Sequence, residues 1–120
     1  ALSPDSKTLS VVGGSEGKWH LARIAVDGSG YRELYSGVAP VDPTWTRDGR
    51  SILFAQQEKN SAVQRIMRIP AEEGQPEFTG ISAEGLNSLQ LSPDNTKIAY
   101  GVRLTGEEVW ELDNVLAALK

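Results

Sequence analysis

The chain has 120 residues, no cysteine, one histidine, and 12 Lys+Arg against 16 Asp+Glu, for a formal net charge of −4. With 39% hydrophobic and 23% charged residues it has the balance of one globular domain rather than a disordered segment. The lack of cysteine excludes disulfides, thiolate metal sites and thiol nucleophiles, the acidic balance gives no cationic footprint for nucleic acid, and the longest apolar run, 115–119, cannot insert into a membrane that needs ~20 such residues.

Taken in chain order, the first unit opens on Leu2-Ser3-Pro4-Asp5-Ser6, a turn in which Pro4 sets φ and the Asp5 side chain can accept bonds from the backbone N–H groups just after it. Leu9 and Val11 then alternate with period two and share one face of a strand. A Gly/Ser hairpin loop is predicted over 13–18, a strand over 20–26, a turn at Asp27-Gly28-Ser29-Gly30 and an outer strand over 31–35.

The second unit begins with an inner strand near Thr44 and Trp45, introduced by Pro40 and Pro43. The turn Thr46-Arg47-Asp48-Gly49 follows, then Ile52 and Phe54 on a strand, a loop over 58–62, a strand over 65–69, and an outer strand over 76–79 in which Pro76 suits an edge. The third unit repeats the pattern with an inner strand over 87–91, the turn Ser92-Pro93-Asp94-Asn95, a strand carrying Ile98 and Tyr100, a loop over 104–107 and a strand over 109–112. Residues 114–119 read as a short helical turn capped by Asn114.

The turn aspartates Asp5, Asp48 and Asp94 stand 43 and 46 residues apart, near the ~40–45-residue period of four-stranded propeller blades. Uncharged residues between the alternating apolar ones (Ser10, Leu53, Ala99) indicate strands covered on both sides, as face-to-face blades require. The predicted fold is all-β: a propeller segment of about three four-stranded antiparallel blades, covering about 1–37, 38–80 and 81–120, incomplete at both ends. The first blade has only Ala1 and Leu2 for an inner strand, and the outer strand of the third would fall beside Lys120. These residues are therefore expected to be the C-terminal part of a longer ring, and as a separate chain to self-associate, two sets of three blades giving six.

The Ser-Pro-Asp-(Ser/Asn) turns, the Leu/Ile-x-aromatic or Val strands and the strand ending at Asp27-Gly28 resemble TolB-like propeller repeats, which are WD-repeat-like. The resemblance covers essentially the whole chain; Arg47 departs from it, standing where the other repeats have Pro4 and Pro93. It implies a non-catalytic recognition module of a larger bacterial protein, binding a protein, a peptide or a small ligand, in the periplasm or the cytoplasm, with the periplasm slightly favoured. The competing reading is the accessory or gating propeller of an enzyme such as a serine peptidase or polysaccharide lyase.

The residues singled out have structural readings that outweigh catalytic ones. Pro4, Asp5, Asp48, Gly49, Pro93 and Asp94 are assigned as turn residues, because their identical place in each repeat points to turn hydrogen bonds rather than to a carboxylate ring. Gly13-Gly14-Ser15-Glu16-Gly17 matches G-x-S-x-G, but that elbow needs a helix after it, and Lys18-Trp19-His20 leads into a strand. His20 has no ligand-spaced cluster around it, and the turn at Asp27 lacks the bidentate Glu of a calcium loop. No catalytic residue, metal or cofactor is expected. The loops over 13–18, 58–62 and 104–107, all between the second and third strands of their blades, are expected to share one rim.

Overall fold

The computed structural model describes residues 1–15, 17–58, 61–92, 94, 97–103 and 107–112. Ten strands are named among them, in three antiparallel sheets. Blade one holds β1 (Thr8–Ser15), β2 (Lys18–Ala25) and β3 (Arg32–Gly37), in the order β1-β2-β3. Blade two holds β4 (Val41–Trp45), β5 (Ser51–Gln57), β6 (Val63–Pro70) and β7 (Glu77–Glu84), in sequence order. Blade three is β8 (Leu86–Leu91), β9 (Ile98–Arg103) and β10 (Glu107–Leu112), in the order β10-β9-β8. The expected helical turn over 114–119 lies outside the described residues, as do Pro93 and Asn95.

Blade two is complete and is covered on both faces. Along β5, Ile52 and Phe54 point toward blade one and Leu53 and Ala55 toward blade three, all at most 1% exposed. Alternation along a strand puts successive side chains on opposite faces, so four consecutive apolar residues supply two cores. The first core joins Trp45, Ile52, Phe54, Met67, Ile69 and Ala71 to Leu21, with Leu34 and Tyr35 of β3 packed against it. The second joins Leu53, Ala55 and Ile66 to Leu86, Leu89, Leu91 and Ile98 of blade three.

Two elements differ from the sequence expectation. The outer strand β7 does not end near Thr79 but runs on to Glu84. Its register with β6 jumps, from Met67↔Phe78 to Arg65↔Ser82, so that 79–81 bulge opposite Ile66. Gly80, at φ +91, takes the conformation the bulge needs, and the buried Thr79 hydroxyl donates to the Ile66 carbonyl at 2.7 Å. A glycine that reads as the end of a strand is here the hinge that re-aims Ile81 and Ala83 into the core with blade three.

The stretch from Gly13 is likewise not all loop. Gly13, Gly14 and Ser15 continue β1 and pair with His20, Trp19 and Lys18. Glycine is needed at 14, where a Cβ would come within 2.2 Å of the Lys18 carbonyl oxygen.

Candidate functional site

The three Asp turns share one hydrogen-bond design. In each, a hydroxyl two residues before the aspartate donates to its carboxylate: Ser3 to Asp5 at 2.6 Å, Thr46 to Asp48 at 2.6 Å, and Ser92 to Asp94 at 2.7 Å. The same hydroxyl oxygen accepts a backbone N–H five residues on, from Thr8, Ser51 and Lys97. The Asp5 and Asp48 carboxylates also accept the N–H groups of Lys7 and Arg50. The hydroxyl is thus the hub of the turn, a role that its recurrence before each aspartate signals in the sequence.

Hydrogen bonds to the charged form hold these carboxyls below the ordinary aspartate value: at Asp5 chiefly the Ser3 hydroxyl and then the Lys7 N–H, at Asp48 chiefly the Thr46 hydroxyl and then the Arg50 N–H. Asp27 is lowered in the same way by the hydroxyl and N–H of Ser29, both of which donate to it. Each of these aspartates is therefore an acceptor engaged in its own turn.

The turns of blades one and two abut. Pro4 Cδ lies 4.0 Å from where a Cβ on Gly49 would stand, and Gly49 itself has φ +72. Arg47 reaches from the turn of blade two to the Leu91 carbonyl oxygen of blade three, at 3.4 Å. The residue that breaks the repeat is thus a tie between blades, which no proline could make. Trp45 Nε1 donates to the Ala1 carbonyl at 3.2 Å and links the inner ends of blades one and two.

Around these inner ends is a small cleft of about 110 Å³, lined by Ala1, Leu2, Pro4, Thr44, Trp45, Arg47 and Leu91. A second, more open groove of about 290 Å³ lies at the outer side, between Arg32, Glu33 and Leu34 of β3 and Glu72, Glu73, Gly74 and Gln75 of the turn after β6. Glu72, on its edge, makes an ion pair with Arg23 of β2 at 3.2 Å. At the opposite rim from the Asp turns, Gln56 donates to the Tyr35 hydroxyl, which donates to the Val38 carbonyl at 3.2 Å.

The hairpins that end β1, β5 and β9 lie at the far ends of these strands from the Asp turns; within the three loops expected there, Glu16, 59–60 and 104–106 are outside the described residues. The strand β2, not a helix, follows Ser15 and Gly17. His20 Nδ1 lies 3.2 Å from Glu33 Oε1 without hydrogen-bond alignment, a contact that is ionic only when the ring is protonated. Among the described residues, no group of three or more His, Asp and Glu is gathered to hold a metal ion, and no helix is long and apolar enough to cross a membrane.

No protein-family model and no curated protein matches the sequence. Solved structures do match. The structure of a putative TolB from Agrobacterium tumefaciens superposes with a TM-score of 0.79 at 20% identity, over 95% of this chain and 44% of that one. TolB from Acinetobacter baumannii gives 0.76 at 20% identity, over 93% and 29%. The β-propeller domain of the Trilobed protease from Pyrococcus furiosus, described as having an open velcro topology, gives 0.61 at 15% identity, over 92% and 37%. The fold is that of a segment of a TolB-like β-propeller, and the chain spans less than half the length of the structures it matches.

Proposed function

We propose that this chain is a non-catalytic recognition module, the part of a larger TolB-like propeller that offers its axis-side mouth to a protein or peptide. The observation that carries the reading is the cleft between the inner ends of the blades, where Trp45, Arg47 and Leu91 come together. Its volume of about 110 Å³ is well below the ~300–1,000 Å³ of sites that enclose a small molecule, and suits one projecting side chain of a bound polypeptide. Asp5, Asp48 and Asp94 are engaged in turn bonds.

The alternative, a propeller that serves an enzyme, draws support from the similarity to the propeller domain of the Trilobed protease. In that reading too, the chemistry belongs to another domain.

Selection of peptides from a displayed random library against the immobilised chain tests the proposal. Selected peptides should lose at least about tenfold in affinity against Arg47→Ala. Peptides that bind Arg47→Ala as well as the parent chain, or that the chain cleaves, would contradict it.

A further inference from the structure

We propose that the outer groove between blades one and two is a binding site for a doubly charged oxyanion, a phosphoryl group held by Arg23 and Arg32. The site lies away from the axis-side mouth, and both of its walls belong to the seam between these two blades.

The pairing of β2 with β3 sets Arg23 directly opposite Arg32. Arg23 is two residues on from Leu21, which packs into the core shared with blade two, so both arginines share the face of blade one turned toward that blade. Like charges in this position repel, and an anion between them relieves the repulsion. Arg32 lines the groove of about 290 Å³, which has ample room for an anion of a few heavy atoms.

Arg23 is only partly satisfied by the chain itself. Its Nη2 donates to Glu72 Oε2 at 3.2 Å, while its buried Nε–H has no hydrogen-bond partner among the described residues. A buried donor left unpaired on a charged group is costly, and a further acceptor removes that cost. Nε and Nη2 form one edge of the guanidinium, the fork that two oxygens of one oxyanion bridge. Glu72 takes one tine of this fork.

The carboxylates around the groove differ in how they oppose an anion. Glu33 Oε1 lies 3.2 Å from His20 Nδ1, on the face of blade one turned away from blade two. The Glu72 side chain is 83% exposed, and an ion pair so open to water is weak enough for an incoming dianion to displace. Glu73 stays as an exposed negative charge on the groove, and with the net charge of −4 it limits affinity to about the millimolar range. Two guanidinium charges favour a dianion over a monoanion, which selects phosphate over a lone carboxylate.

NMR titration of the isotope-labelled chain with inorganic phosphate, at neutral pH and constant ionic strength, tests the proposal. The amides of Arg23 and of 32–34 and 72–75 should shift and saturate, whereas acetate should not saturate them. Phosphoserine in a parallel titration distinguishes the source: tighter binding than inorganic phosphate assigns a phosphoryl group carried on another molecule, and equal or weaker binding assigns the free ion. Arg32→Gln should weaken binding by about threefold or more, and Glu72→Gln, which removes the competing carboxylate, should strengthen it by about as much. Both positions are exposed, so both variants should keep the β-sheet circular dichroism. The opposite signs separate a ligand site from an ion pair that merely ties the blades. Absence of saturable shifts in the parent chain, equal saturation by acetate, or a Glu72→Gln chain that binds phosphate no tighter would overturn the proposal.

Discussion

Val11 in blade one and Phe54 in blade two occupy the same place in the repeat, each paired across to the second strand of the following hairpin, at Ala22 and at Met67. Phe54 is fully buried and touches Tyr35 with ring centroids 5.2 Å apart, while Val11 is 38% exposed. What separates them is whether another blade lies against the face.

The energetic consequence is asymmetric. Phe54→Ala should cost about 3–5 kcal/mol, the range for removing a buried aromatic from a packed core. Val11→Ala, at the equivalent position, should cost less, about 1 kcal/mol in dilute solution, since Val11 stays 38% exposed and its truncation leaves no enclosed cavity. Urea denaturation of the two variants checks both values.

In the turns, the Thr46 hydroxyl and the Asp48 carboxylate act as one unit. Asp48→Ala should destabilise by about 1–2 kcal/mol through the loss of the bonds from Thr46 and the Arg50 N–H. Thr46→Val should cost a similar amount, leaving the Ser51 N–H without its acceptor, whereas Thr46→Ser should be close to neutral. Because the members share one network, the double variant Thr46→Val/Asp48→Ala should cost less than the sum of the singles, which a double-mutant cycle measures.

Acid should weaken the fold through the same groups. Asp5, Asp27 and Asp48 are all lower in the folded chain than their ordinary value. A carboxyl lowered on folding contributes stability that is fully present above its unfolded value, about 3.9, and is lost as pH falls through the lower folded value. The urea midpoint should therefore hold steady at neutral pH and fall below about pH 4. Asp48→Asn should make that fall shallower, and a midpoint insensitive to acid would show that the turn bonds do not discriminate between protonation states.

Ser6 and Gly49 follow their aspartates in equivalent turns, and both have positive φ, +61 and +72. A side chain in that conformation costs roughly 1–2 kcal/mol, so Ser6→Gly should stabilise by up to about 1 kcal/mol once the greater freedom of glycine in the unfolded chain is set against it. Gly49→Ala should destabilise by about 1 kcal/mol or more through the backbone alone, because a Cβ there meets nothing closer than Pro4 at 4.0 Å. Thermal melts of the two variants should move in opposite directions.

The architecture is legible in the sequence because two signals coincide. The spacing of Asp5, Asp48 and Asp94 marks the period, and the alternation at Leu9/Val11, Ile52/Phe54 and Ile98/Tyr100 marks the strands that follow each turn. Less legible is whatever depends on a partner distant along the chain. Gly80 reads as a stop by local propensity, yet Thr79 and Ile66 make it a bulge and carry β7 on to Glu84. Arg47 reads as a lapse from the repeat until the Leu91 carbonyl is seen beside it. The second role of Ser3, Thr46 and Ser92, accepting an N–H five residues later, needs the turn to be folded before it can be seen.

The central claim is that blade two is held from both sides by register-matched cores. Native-state hydrogen exchange in dilute solution tests it most directly, because protection reports the local cost of opening. The account predicts that the amides of β5, flanked by β4 and β6 and buried on both faces, exchange most slowly and at the rate of global unfolding, with those of β1 distinctly faster. Amides of β1 as slow as those of β5, or β5 exchanging through local opening, would contradict it.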